Sequence, residues 1–158
     1  MKAGIIMDYR KAVKDDISSL VELRKRQLID EGCYEENSID EELYGYFMDA
    51  ISNVSLVVWV AEESGRIIAT SGVCFFRYPP SYSNPKGLTA YITNVYTELE
   101  YRKQGIAADL LKFIMKEIND RGCSVVRLHS SDQGRSMYEK MGFVSADGFM
   151  VKKLTDNT

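Results

Sequence analysis

The feature that most constrains the fold is one amphipathic helix between two strands. Gly105 to Arg121 places Ile106, Leu110, Leu111, Ile114 and Ile118 on one face at helical spacing, and Gly122 ends it. Before it, Gly87 to Thr97 reads as a strand; after it, Val125 to Ser130 reads as another. Strand, helix and strand in this order form a crossover, so the two strands should be parallel with a right-handed connection. The chain must then supply a sheet for this helix to cover.

The remaining patterns provide one. Ile6 to Ala12 reads as a short first strand, and Asp15 and Asp16 can cap the helix that follows, from about Asp16 to Asp30. Ser38 with Glu41 suggests a capping box at the start of a second helix, Ser38 to Asn53. Leu56 to Ala61 and Arg66 to Phe76 form a hairpin around Glu63-Ser64-Gly65, and Pro79 to Pro85 is a loop rich in turn formers. Gln133 to Met141 is a short helix stopped by Gly142. Phe143 to Ala146 and Phe149 to Leu154 are expected to close the sheet as a hairpin around Asp147-Gly148. The order β-α-α-β-β-β-α-β-α-β-β predicts a mixed α/β (α+β) domain, with a central, mostly antiparallel sheet of about seven strands and about four helices.

The 158 residues suit a single domain spanning 1–158. A net charge of −3 argues against wholesale nucleic-acid binding. No segment has the length and hydrophobicity of a membrane span, and a cytoplasmic location is expected. Cys33, Cys74 and Cys123 lack metal-site spacing, and His129 is the one histidine, so no metal is expected.

The stretch Arg102-Lys103-Gln104-Gly105-Ile106-Ala107 lies where the strand gives way to the helix. The first amides of a helix lack internal partners and carry the positive end of its dipole, so a strand-loop-helix of the form R-x-x-G-x-A can cradle a diphosphate. It has neither the GKS/GKT of a P-loop nor a three-glycine dinucleotide fingerprint. A plain helix start with a solvated basic turn is the bland alternative. Likewise Tyr138, in Ser136-Met137-Tyr138-Glu139-Lys140-Met141-Gly142-Phe143, reads alone as a packing residue.

Together, "AYITNVYT", "EYRKQGIAADLL" and "SMYEKMGF" resemble the layout of the GNAT superfamily of acyl-CoA-dependent N-acetyltransferases. The opening "DYRKAVKDDISSLVELR" is also similar to that family's first strand and helix. The resemblance implies acetyl-CoA as donor and a small-molecule or peptide amine as acceptor, joined by direct attack without an acyl-cysteine. It implies a pyrophosphate held by Arg102, Lys103, Gln104, Gly105, Ile106, Ala107 and Ala108, and a pantetheine arm along Val95, Tyr96 and Thr97. Tyr138 takes the place of the family's general acid. Ser131 stands seven residues before it, where many relatives have an asparagine that binds CoA. Many relatives form homodimers.

The base is less determined. Leu88 to Thr97 holds no acid, and Glu98 and Glu100 are expected to face solvent. Glu31, Tyr34, Glu35 and Glu36 flank the loop between the first two helices, where the family often shapes its acceptor site, and His129 precedes Tyr138. Phe75, Phe76, Tyr78, Tyr82 and Tyr91 are either core or acceptor lining, beneath a Pro79–Pro85 loop that overhangs them. A catalytically inactive acyl-CoA sensor and a nucleotide-binding enzyme are the competing readings.

Overall fold

A computed structural model describes residues 6–146 and 148–154. Five strands form one sheet in the order β1-β2-β3-β4-β5: β1 (Asp8–Lys11), β2 (Leu56–Glu63), β3 (Arg66–Arg77), β4 (Leu88–Thr97) and β5 (Val125–Leu128). The first three pairings are antiparallel and β4–β5 is parallel. The helices are α1 (Ile17–Asp30), α2 (Asp40–Ser52), α3 (Ile106–Asp120) and α4 (Arg135–Lys140). The expected crossover is therefore present as β4-α3-β5.

Both faces of the sheet are covered, which explains the unbroken apolar run Leu56 to Ala61. Leu56, Val58 and Val60 pack with Leu20, Leu23 and Phe47 from α1 and α2. Val57 on the other face meets Leu111, Ile114 and Ile118 of α3, together with Tyr138 of α4. Each fully buried Leu or Ile contributes about 1.5–3 kcal/mol. The α3 stripe is thus the largest single attachment of a helix to the sheet.

Four expectations are corrected. The sheet has five strands among the described residues, not about seven: Phe143–Ala146 and Phe149–Leu154 run without regular structure. Val144, Phe149, Met150, Val151 and Leu154 are largely exposed, so no buried face holds this segment in register. Asp147, in the expected turn, lies outside the described residues. At α2 the N-cap is Ile39 and Ser38 makes no capping bond. The Asp16 carboxylate accepts from the Val13 amide at 2.8 Å and from Arg10 instead of capping α1. β5 stops at Leu128, short of Ser130, because β4 and β5 part after Ile92↔Leu128.

That parting positions the site. β4 continues to Thr97 on β3 alone, while the chain after Leu128 turns towards α4. A wedge-shaped gap opens between them, with α3 beginning at its mouth.

Candidate active site

The floor of the gap is a β-bulge. Asn94 has φ of +53°, and the β3–β4 register jumps from Gly72↔Thr93 to Thr70↔Tyr96. Asparagine tolerates the left-handed region better than most residues, and its place inside "ITNVYT" is the sequence signal for the irregularity. Thr70 holds the bulge, its hydroxyl donating to the Asn94 carbonyl at 2.8 Å. Neither Asn94 nor Thr70 stood out by sequence reasoning. A bulge re-aims the main chain, here at the point where β4 loses its β5 neighbour.

At the mouth, the loop into α3 has Lys103 at φ +60° and Gly105 at φ +83°. Gly105 is required by that backbone, and a Cβ there would meet nothing within 4 Å, so the space before the helix is open. The first helical turn-closing bond runs from the Asp109 amide to the Gly105 carbonyl. The amides from Lys103 to Ala108 donate no hydrogen bond among the described residues. Successive free amides before an open space fit a diphosphate.

Arg102 acts differently from the other cradle residues. Its Nε donates to the Thr97 carbonyl at 2.8 Å, its Nη2 meets Asp30 at 2.7 Å, and its guanidinium lies 5.5 Å from the centre of the Tyr96 ring. It therefore clamps the loop to β4 and to the end of α1. Lys103 is exposed and makes no ion pair among the described residues.

Tyr138 is 7 % exposed, packed edge-on against Phe143 at 5.8 Å between ring centres. Its hydroxyl forms no side-chain hydrogen bond with the described residues. Burial, then the negative charge of Glu31, push its pKa up to about 12. Tyr138 is consequently a neutral O–H donor at physiological pH, with Glu31 close enough to be felt by it. Glu31 accepts from the buried Gln27 at 2.9 Å, which steadies its carboxylate.

The other candidates separate. Tyr34 and Glu35 line a cavity of about 220 Å³ between the end of α1 and the start of α2, whose walls include neither Tyr138 nor His129. His129 is exposed just after β5. Ser131 is exposed, and its hydroxyl accepts from the Gly134 amide at 3.2 Å at the entrance to α4. Glu98 does not face solvent as expected: it bridges Arg26 at 3.0 Å and Arg66 at 2.6 Å. Glu100 is exposed. The Pro79–Pro85 loop does line a cavity, of about 380 Å³, with Tyr78 and Arg127, whereas Tyr82 points into solvent. Among the described residues no group of three or more His, Cys, Asp or Glu is arranged to hold a metal ion, and no helix is long and apolar enough to cross a membrane.

A mixed sheet whose parallel pair splays beside a glycine cradle defines an acyl-CoA-handling class of fold, and comparison with known proteins agrees. Residues 55–145 match the family described as acetyltransferase (GNAT) domain, and this chain belongs to the GNAT acetyltransferases. It is similar to the crystal structure of a predicted acetyltransferase with acetyl-CoA from Clostridium acetobutylicum, with 44% identity and a TM-score of 0.91 over 94% of this chain and 96% of that one. A GCN5-related N-acetyltransferase from Ralstonia eutropha JMP134 gives 25% identity and a TM-score of 0.87, over 94% and 99% of the two chains. Thialysine N-epsilon-acetyltransferase of Bos taurus is 32% identical over 84 residues, 51% of this chain and 47% of that protein. The match thus spans about half the length of these curated relatives.

Proposed function

We propose that this protein transfers an acetyl group from acetyl-CoA to a primary amine by direct attack. The observation that carries the proposal is the coincidence, at one gap, of free cradle amides and a neutral, unpartnered Tyr138 hydroxyl. The C. acetobutylicum relative with acetyl-CoA supports the donor, and the thialysine N-epsilon-acetyltransferases support an amine acceptor.

The amides of Lys103 to Ala108 hold the pyrophosphate, with the Lys103 ammonium as an outer counter-charge. The free edge of Val95, Tyr96 and Thr97 pairs with the pantetheine amides as an added strand would. Acetyl-CoA supplies the thioester. The bulge at Asn94 presents the Val95 amide to the thioester carbonyl, where a fixed N–H stabilises developing negative charge. Glu31 takes the proton of the incoming ammonium, directly or through a water. An alkyl amine with a pKa of about 10.4 is almost wholly protonated at neutral pH, so this step is needed. Tyr138 gives its proton to the departing sulfur. Ser131 and His129 lie at the rim; Ser131 orders the α4 entrance, and His129 has room to contact the acceptor.

Incubation with acetyl-CoA and an amine panel, followed by mass spectrometry, is expected to yield an N-acetyl product and free CoA thiol. Melting-temperature elevation by ATP and not by CoA would overturn the donor assignment.

A further inference from the structure

The cavity beneath the Tyr78–Gly87 loop takes no part in the chemistry above, yet it lies on the same sheet face as the acceptor side of the gap. Cys74 pairs with Tyr91, Phe76 with Thr89, Thr89 with Val125 and Tyr91 with Arg127, so these side chains share one face. Cys74 joins that face to the α1–α2 core. The loop is built to stay in place. The Tyr78 amide donates to the Gly87 carbonyl at 2.9 Å, and a Cβ on Gly87 would lie 2.0 Å from the Tyr78 carbonyl oxygen. The Asn84 side chain ties the loop to the Leu88 carbonyl at 3.1 Å.

The cavity, of about 380 Å³, has Arg127 as its one charged wall residue, and no acid in its lining, among the described residues. The half-buried guanidinium of Arg127 lies 5.4 Å from the centre of the Tyr78 ring and 5.2 Å from that of Phe149. It makes no ion pair or hydrogen bond with any described residue, unlike Arg10, Arg26, Arg66 and Arg102, each of which meets a carboxylate. Stacking on rings fixes the plane of a guanidinium and leaves its N–H fork to pair with a planar anion. The hydroxyls of Ser81 and Ser83, 3.2 Å apart, add donors in the same cavity.

We propose that Arg127 receives a carboxylate carried by the acceptor while the acceptor's amine reaches the gap. This rests on the acetyl-transfer reading and specifies its substrate class. Arg127 is level with Tyr91, three residues before the Asn94 bulge, which is about 10 Å along a strand, so carboxylate and amine stand at the two ends of an extended arm. The acceptor is then an ω-amino carboxylate.

The test compares 6-aminohexanoate with hexylamine, which has the same arm without the carboxylate, in CoA thiol release by the wild type, Arg127→Ala and Arg127→Lys. The wild type is expected to favour 6-aminohexanoate in kcat/KM. Arg127→Ala should lower that preference by about tenfold to a hundredfold, through KM, with Arg127→Lys keeping part of it. Thermal stabilisation by CoA confirms that each variant is folded. A preference unchanged in Arg127→Ala, or a wild type that favours hexylamine, overturns the proposal. If neither amine releases thiol, calorimetric titration of 6-aminohexanoate with CoA present decides. Binding lost in Arg127→Ala upholds the carboxylate site and sinks the transfer reading, whereas equal or absent binding sinks the carboxylate site.

Discussion

The two sides of the β4–β5 gap are made of different material. The proposed donor side is main chain from one short stretch, Lys103 to Ala108, shaped by two left-handed residues. The proposed acceptor side is side chains from separate elements: Glu31 just after α1, and Tyr91 of β4 paired with Arg127 of β5. Main-chain recognition tolerates changes in neighbouring side chains but not an added Cβ. Side-chain recognition can be retuned one residue at a time. A fold assembled this way keeps one donor and can change its acceptor.

Four substitutions and a pH profile test this contrast. The largest effect should come from Tyr138, which belongs to neither side and is proposed to protonate the leaving sulfur. Tyr138→Phe is expected to lower kcat about a hundredfold or more. The melting temperature and acetyl-CoA affinity should change little, because the hydroxyl forms no side-chain hydrogen bond with the described residues. Next, Gly105→Val adds a β-branched side chain at φ +83° and should weaken acetyl-CoA binding at least tenfold in calorimetry. The backbone strain should also cost about 1–3 kcal/mol in denaturant unfolding. Lys103→Ala should weaken binding only a few-fold, with the difference shrinking in high salt, because its contribution is that of an exposed charge. If the lysine mattered more than the glycine, the main-chain account of the donor side would be wrong.

The pH profile of kcat/KM should rise through neutrality as the free amine is released. It should show no alkaline loss assignable to Tyr138 below about pH 11, because burial and Glu31 push that hydroxyl up to about 12. The same shift has a sign for stability: the folded state holds this proton more tightly than the unfolded chain. Its contribution is therefore intact below the ordinary tyrosine value of about 10 and is lost as pH rises towards 12. The smallest effect is expected at Ser71, whose fully buried hydroxyl has no hydrogen bond among the described residues. Ser71→Ala should leave the melting temperature unchanged or raise it slightly.

The same division decided what was legible in the sequence. The α3 stripe, the crossover and the glycine turn into α3 are local patterns, readable at a spacing of a few residues, and their placement agrees with the structure. The Asn94 bulge was marked only by a polar residue of low strand propensity, and its register jump depends on β3. Nothing local reveals that Asp30, far away in sequence, meets the Arg102 guanidinium. Glu98 likewise seemed solvent-facing until Arg26 and Arg66 converged on it. The C-terminal hairpin failed for a related reason. Its turn residues were present, but strand formation needs a buried face, and Phe149, Met150 and Val151 follow one another without alternation.

The central claim is that the gap joins a bound thioester to an amine, with Tyr138 protonating the sulfur that leaves. Initial rates of CoA thiol release from acetyl-CoA, with and without amine, in wild type and Tyr138→Phe test it most directly. The account predicts amine-dependent release that falls about a hundredfold in the variant, while both proteins bind acetyl-CoA alike. Equal release by the two proteins, or tight acetyl-CoA binding with no release against any amine, would contradict it.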